Sequence, residues 1–578
     1  MRNQAVVHLL ESISRLLAIK GDSSFRVRAY NQAAQSIAGL SSDVAEVWGE
    51  GRLEELPGIG PSIAAKIDEF LRTGRCEYYE ELRQGIAPEA AELLDVPSIG
   101  PARARLISQK LGVTSLAALA EAAHAHRLRE LPGFGAKSEE RVLREIQRLQ
   151  ARTHRMLLGV ALPAAEEVVR LLQDQPAVSR VEYAGSLRRM KETIGDIDIL
   201  AASDRPAAAV RAFIHLPIVA EVLGAGDTRA SILTEDGLQV DLRVVRPDEY
   251  GSALLYFTGS KEHNIALRDR ALARGLHLSE YGLFDSDTNR RVAGATEDEV
   301  FEALGLDWIP PELRENRGEI AAAESGELPD LIELDDLKGD LHLHTDWSDG
   351  NENLQTMAFA ARARGYDYIA VTDHSRSLGV AHGLSLERLA EQAREIAELN
   401  RRLRPFRVLR GTELEIRNDG TLDYPDDVLA GLEFVGASAH SGLGQPGERY
   451  TRRVLGALRS GLVDVLNHPT GRIIDGRAGG EIDLGQVIRQ AAQSRVALEI
   501  NGEPNRLDLD DVWARRAGEA GVLLACGSDA HSVSGLDNVR YAVAVARRAW
   551  LRREDVLNAQ PLEVLLARRR ERRVRRAA

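Results

Sequence analysis

Between residues 336 and 578 short apolar runs alternate with helical stretches, and this alternation constrains the fold more than anything else in the chain. The runs read YIAVTDH, FRVLRGTELEI, FVGASAH, VDVLNHP, VALEIN and LLACGSDAH. Strand–helix alternation of this kind implies a parallel α/β barrel or a doubly wound sheet. Such folds build their sites just beyond the carboxyl ends of the strands. Metal-binding residue types stand at those points: His342, His344 and Asp349 in DLHLHTDWSDG, then His374, Glu413, His440, His468, Asp529 and His531. His342 and His344, two apart, share one face of a strand. A lone histidine here would read as a satisfied core residue, but nine ligand types in one context read as a site. Mixed imidazole and carboxylate donors suit Zn²⁺, Mn²⁺ or Fe²⁺ better than Mg²⁺ or Ca²⁺. Nine donors suffice for up to three ions, a cluster that generates hydroxide and grips a phosphate. His382 lies outside the pattern and is left as a substrate contact.

A chain of 578 residues is too long for one core and implies three to five domains. Its two cysteines, Cys76 and Cys526, are far apart and fit a reducing cytoplasm. No apolar run is long enough to span a bilayer, and the amphipathic N-terminus lacks the core of a signal peptide. No membrane association is expected. The net charge is −14, and all of the acidic excess falls before residue 336. Charge alone therefore argues against a general polyanion binder. Only seven of the 74 basic residues are lysines, so lysine chemistry has few candidates.

Residues 1–150 read as successive helices broken at Gly and Pro. A hairpin pattern recurs there: Leu56-Pro57-Gly58-Ile59-Gly60, Val96-Pro97-Ser98-Ile99-Gly100 and Leu131-Pro132-Gly133-Phe134-Gly135. Gly58, Gly60, Gly100, Gly133 and Gly135 permit tight turns that leave backbone N–H groups exposed at the next helix start. Three such copies favour binding to a DNA backbone, which needs amides and dipoles rather than lysines. A further helix spans 155–174, and Pro310-Pro311 with the acidic stretch 312–336 reads as a linker. The seven arginines from Arg568 to Arg576 read as a solvated helix end.

The segment GSLRRMKETIGDIDIL, residues 185–200, carries the second chemistry. Asp196 and Asp198 point to one face of a strand, and Asp241, flanked by apolar residues on another strand, can complete a trio. Three carboxylates on two Mg²⁺ or Mn²⁺ ions are what in-line phosphoryl transfer requires. Gly185, Ser186 and Gly195 leave room and donors for a triphosphate, and Arg189 adds positive charge.

With VDLRVV and YFTGSKEHNIALR at 256–268, this segment resembles the DNA polymerases of family X, over residues 1 to about 318. The resemblance implies that Tyr256, Phe257 and Gly259 face the sugar of an incoming dNTP, and that Asn264 and Arg268 reach the base-pair minor groove. Met190 replaces a glycine usual after the arginine pair. LPGIGPSIAAKIDEFLRTG resembles the lyase domain of the polymerase beta group, which places Lys66 as a Schiff-base nucleophile with Tyr30 nearby; Ser62 and Gln32 replace lysines of that group's phosphate pocket. The histidine array resembles the PHP domain, which implies a distorted (β/α)7 barrel, with Glu415 where an aspartate is commoner.

The expected fold is multidomain, α+β and α/β. It comprises a lyase-like helical domain at 1–80, a helical DNA-binding domain at 81–150 and a nucleotidyltransferase palm with a mixed sheet at 151–245. A nucleotide-selecting subdomain at 246–318, a linker at 319–335 and a PHP hydrolase at 336–578 follow. The expected function is gap filling in DNA repair by a monomer acting on gapped or nicked DNA. A 3′–5′ exonuclease would accompany it, with 3′-phosphatase, abasic-site cleavage and 5′-lyase activities beside it. The rivals are a small-substrate phosphatase on a DNA-binding scaffold and a non-enzymatic repair platform.

Overall fold

A computed structural model describes residues 2–577 except 21, 39–43, 84–92, 94–95, 97–98, 114, 137, 144–145 and 147–154. The chain divides into two compact units, Met1–Arg155 and Met156–Ala578.

The first unit is helical. Helices α1 (Arg2–Lys20), α2 (Ser24–Ala38) and α3 (Pro61–Thr73) enclose one core built from Leu10, Ile13, Leu17, Ile37 and Ile67. A second core, around Ile107, Leu119 and Val142, surrounds α4 (Pro101–Leu111). The hairpins share one local geometry. The N–H groups of Ile59, Ile99 and Phe134 donate to the carbonyls of Leu56, Val96 and Leu131 at 3.1, 2.8 and 3.1 Å. Gly58 and Gly133 take φ of +79° and +82°, where a side chain is strained. Gly60 and Gly100 cap α3 and α4, each followed by a proline whose missing N–H costs nothing at a helix start. Pro97 and Ser98 of the middle hairpin lie outside the described residues.

The second unit begins with α5 (Leu158–Gln173), which packs beneath a five-stranded sheet. Its strands are β1 (Arg180–Tyr183), β2 (Ile197–Ala202), β3 (Val219–Ala225), β4 (Arg229–Thr234) and β5 (Gln239–Val245), in the order β1-β2-β5-β4-β3. Only β2 and β5 pair in parallel, so the sheet is mixed. Helices α6 (Tyr250–Thr258) and α7 (Lys261–Ala273) follow, with a small antiparallel sheet of β6 (Leu276–Ser279), β7 (Gly282–Asp285) and β8 (Arg291–Ala293).

The stretch expected to be a linker is packed instead. It forms α8 (Glu319–Ser325), and Leu313, Arg314, Glu319 and Ala323 are buried. Partners elsewhere in the chain support its burial: His263 Nδ1 lies 2.6 Å from Glu319 Oε1, and Arg314 of the stretch forks onto Glu297 at 2.6 and 3.0 Å.

The remainder alternates strand and helix as expected. The strands are β9 (Gly339–Leu343), β10 (Tyr368–Val371), β11 (Arg407–Arg410), β12 (Glu413–Glu415), β13 (Gly436–Ser438), β14 (Val465–Leu466), β15 (Ala497–Asn501) and β16 (Leu524–Gly527), every pairing parallel. β11 pairs with β10, and β12, two residues on, pairs with β13. A parallel bridge between Leu343 and Ala530, with His344 N–H donating to the Ala530 carbonyl at 2.8 Å, joins the first strand to the last. The strands form two sheets, β9–β11 and β12–β16, linked only by the isolated bridges Leu343–Ala530 and His374–Glu413; counting β11 and β12 as one broken strand, these links run through seven strands as a ring. Helices α9 (Gly447–Arg459), α10 (Asp511–Glu519), α11 (Val539–Arg548) and α12 (Leu562–Ala577) belong to its outer layer. α5 meets the ring closely at Gly159, where a Cβ would lie 2.5 Å from Pro504.

The arginine-rich end of α12 is not simply a solvated face. Arg569 and Arg572 are buried and both grip the buried Asp464, and Arg569 also donates to the Leu429, Leu432 and Leu462 carbonyls. Their partners come from the ring, more than a hundred residues away, which is why charge clustering alone reads them as solvated.

Candidate functional site

The ring gathers all nine sequence-predicted side chains at the carboxyl ends of its strands. Four overlapping groups have ligand atoms within 4.8 Å of one another: His344, Asp349, His374 and His531; His342, Glu413 and His468; His342, His344 and Asp529; His374, Glu413 and His440. Glu413 joins two groups, with His468 Nε2 at 2.8 Å and His374 Nδ1 at 2.9 Å. The cluster opens on one side, where Asp349 and His531 are 30% and 39% exposed, while His342, His344 and Glu413 are buried. His468 and Asp529 sit at φ of +26° and +54°, strained values for side-chain-bearing residues that often mark functional positions.

The cluster's charges hold one another. Burial disfavours charge on His342, but Glu499, Asp529 and Glu413 outweigh it and push its pKa well above the ordinary value. Burial, with His374 and His531 alongside, pushes His344 down to about 3 and keeps it neutral. Burial also opposes the carboxylates, yet the surrounding imidazoles hold Glu413 and Asp529 well below the usual range. The donor set fits metal ions. Nε2 of His342 and both ring nitrogens of His344 are buried without a hydrogen-bond partner among the described residues. Buried nitrogens are rarely left so unless a lone pair meets a metal.

Three residues that sequence reasoning passed over support the cluster. Glu499 Oε1 lies 2.6 Å from His342 Nδ1, and its Oε2 accepts the His468 N–H at 2.6 Å. Carboxylates commonly fix imidazole ligands in this way. Asn501 donates to Asp529 at 3.0 Å, and Asp373 accepts from Thr345, Ser348 and Gln392. Glu499 and Asn501 are two apart in VALEIN, one of the two runs that carry no histidine. Polar residues at period two inside a buried strand were the available signal. Glu415 Oε2 lies 2.8 Å from His440 Nδ1, beside the cluster rather than in it. His382 is exposed in the loop after β10.

In the mixed sheet, register sets the carboxylates. Asp198 on β2 stands opposite Asp241 on β5, and Asp196 precedes β2 at the same parity. Asp241 accepts from Ser231 Oγ and from Gln239 Nε2 at 3.1 Å. Gly185, at φ +64°, opens the single helical turn Gly185–Arg188, and a Cβ there would lie 3.0 Å from Asp198 Oδ2. Ser186 lies in that turn and Gly195 just before β2.

Arg189, the residue expected to add positive charge at the triphosphate, follows that turn directly. It is 13% exposed, bonded to Glu315 at 3.0 Å and to the Thr258 carbonyl. Its own carbonyl accepts from Arg548 of the ring at 2.6 Å. Tyr256 and Phe257 meet edge to face at 5.1 Å, and Arg243 lies over Phe257. Gly259, at φ +69°, admits Arg189 3.1 Å from where a Cβ would stand. Asn264 donates to the Tyr256 carbonyl at 2.7 Å, and Arg268 is half-exposed on α7.

In the helical unit Lys66 is half-buried on α3. Its Nζ donates to Ser62 O and Oγ at 3.0 and 3.1 Å and lies 4.6 Å from the centre of the Tyr78 ring. Tyr30 stacks on Tyr78 with ring centres 6.3 Å apart, and burial pushes the Tyr30 hydroxyl up to about 12. Gln32 packs against Gly58, 2.8 Å from where a Cβ would lie.

Helical hairpins, a mixed sheet with register-paired aspartates and a histidine-lined parallel ring define a DNA-processing enzyme with metal-binding capacity. Comparison with known proteins agrees. Residues 1–76 match the helix-hairpin-helix domain and 90–148 the SAM-like helix-hairpin-helix tandem; 253–315 match the DNA polymerase beta thumb and 340–502 the PHP domain. The DNA polymerase/3′-5′ exonuclease PolX of Bacillus subtilis is 38% identical over 565 residues, 97% of this chain and 98% of that protein. Probable phosphatases of Shewanella oneidensis and Shewanella sediminis are 29% and 30% identical over 39% of this chain. The chain belongs to the family X DNA polymerases that carry a carboxy-terminal PHP domain. Among the described residues no helix is long and apolar enough to cross a membrane.

Proposed function

We propose that this chain fills short gaps in DNA during repair and trims 3′ ends as a 3′–5′ exonuclease. The observation that carries the reading is the presence, in one compact unit, of Asp198 paired in register with Asp241 and of the nine-residue cluster around Glu413. Asp196, Asp198 and Asp241 hold two Mg²⁺ or Mn²⁺ ions. His342, His344, Asp349, His374, Glu413, His440, His468, Asp529 and His531 hold up to three ions of Zn²⁺, Mn²⁺ or Fe²⁺. Such ions supply an activated oxygen nucleophile and neutralise charge at the phosphorus. The protein's own part is placement. Gly185, Ser186 and Gly195 leave room for a dNTP triphosphate. Tyr256, Phe257 and Gly259 face its sugar, and Asn264 and Arg268 reach the base pair. Glu499 orients His342, and Asn501 orients Asp529.

The hairpin amides of Gly58, Gly60, Gly100, Gly133 and Gly135 hold the backbone of gapped or nicked DNA. Lys66 attacks an abasic aldehyde as a lyase nucleophile. The protein works as a cytoplasmic monomer, with domain limits at 80, 150, 245, 318 and 335. One experiment tests the reading: extension on gapped DNA beside degradation of an end-labelled strand. Asp241→Asn abolishes extension and leaves degradation; unchanged extension removes the palm assignment. The rival, a phosphatase of small substrates, gains if phosphomonoesters are hydrolysed while DNA ends are not.

A further inference from the structure

Beside the metal-type cluster lies a separate cleft of about 440 Å³, lined by Ser377, Leu378, Arg417, Asn418, Ser441 and Arg449 with Glu415 and Asp419. Its volume falls within the range of small-molecule pockets. Three loops line it, and each leaves a member of the cluster. Ser377 and Leu378 follow His374, Glu415 to Asp419 follow Glu413, and Ser441 to Arg449 follow His440. The two sites share a wall one imidazole thick. Glu415 Oε2 meets His440 Nδ1 at 2.8 Å, and His440 Nε2 meets Glu413 at 3.3 Å.

The lining is polar but nearly neutral. Arg417 is paired with Asp423 at 2.7 Å, and Glu415 is held by His440 and, at 3.2 Å, by Arg453. Asp419 and Arg449 add one charge of each sign to the lining, and Arg449 makes no ion pair among the described residues. A free phosphate would find little net positive charge, whereas a neutral group rich in donors and acceptors would be well met. Asn418 uses its side-chain oxygen on Arg453 at 3.2 Å and on Ser441 and Gln445, leaving its amide N–H groups for a ligand. Gly442, at φ +66°, admits that oxygen, which would lie 2.2 Å from a Cβ. Leu378 gives the lining an apolar surface for a ring.

We propose that this cleft seats the nucleoside at the 3′ end of the strand being degraded, its base hydrogen-bonded by Asn418 and its phosphodiester reaching over the Glu415–His440 wall to the cluster. The proposal rests on the nuclease reading above. The test compares two single-stranded oligonucleotides, one ending in a normal 3′ nucleotide and one ending in a sugar without a base. Wild-type full-length protein, Asn418→Ala and Gly442→Ala are assayed with their metal content measured. The wild type degrades the normal end about tenfold more efficiently, the worth of one or two hydrogen bonds. In both variants, at wild-type metal content, that ratio falls toward one because efficiency drops on the normal end. Wild-type protein that removes both ends at the same rate overturns the cleft assignment alone. Variants that keep the tenfold ratio also overturn it, as do variants that lose metal and slow on both ends. Wild-type protein that degrades neither end overturns the nuclease reading and the cleft with it.

Discussion

Arg548 lies on α11 of the ring, is 3% exposed, and bonds three groups at once: Glu315 at 3.1 Å, Asp511 at 2.8 Å and the Arg189 carbonyl at 2.6 Å. Arg548→Met keeps most of the volume and removes every donor. Neither carboxylate is fully stranded, because Glu315 keeps Arg189 at 3.0 Å and Asp511 keeps Arg317 at 2.8 Å. The cost therefore sits at the low end of the ~3–5 kcal/mol for breaking a buried pair, about 3 kcal/mol. Glu315 carries only a part of that cost. Burial alone would raise its pKa, but Arg548 first, then Lys191 and Arg189, bring it from 4.5 down to about 2. That shift corresponds to about 3 kcal/mol of stability, shared among the three cations. The folded-state pKa is depressed, so this stability is complete above about 4.5 and is lost as pH falls toward 2. Calorimetry at pH 7 should show a midpoint several degrees below wild type, with the difference shrinking between pH 4.5 and the acid limit of the fold. Gap filling should show a higher KM for dNTP, because the loop carrying Arg189 loses its tether. Equal midpoints at pH 7, or a deficit that persists unchanged in acid, would refute the reasoning.

Three further outcomes are expected. His344→Ala and Glu413→Ala should lower bound metal and slow 3′–5′ degradation by at least 10–100-fold, the range for changes around a metal site, with gap filling retained; elemental analysis and primer degradation on the same preparations check this. Borohydride should trap wild-type protein on 5′-incised abasic DNA and should not trap Lys66→Ala, and a wild type that never traps ends the lyase assignment. Asp464→Asn should destabilise the second unit by about 3 kcal/mol, because it leaves Arg569 and Arg572 buried without a counter-charge; a melting curve equal to wild type would show that those arginines find other partners.

The nine clustered residues could be named without a structure because each stands within a few residues of a strand end, and strand ends are written in local apolar periodicity. The same holds for Asp196, Asp198 and Asp241, whose common face follows from period two. The hairpins were legible because glycine and proline act within one turn. What the sequence could not carry is pairing between distant charges. Nothing near Arg189 announces that Glu315 and Arg548 will hold it, and nothing near Arg569 and Arg572 announces Asp464. The acidic stretch before residue 336 looks like a solvated linker until His263 supplies the partner that lets Glu319 be buried. Glu499 shows the same division at the site itself. Its strand is plain in VALEIN, but its closeness to His342, 157 residues earlier, exists only once the ring brings β15 near β9. Local patterns act through backbone geometry over a few residues and survive in one dimension. Ion pairs and supporting hydrogen bonds depend on which side chains the fold brings within about 3 Å, and that distance is defined only in three dimensions.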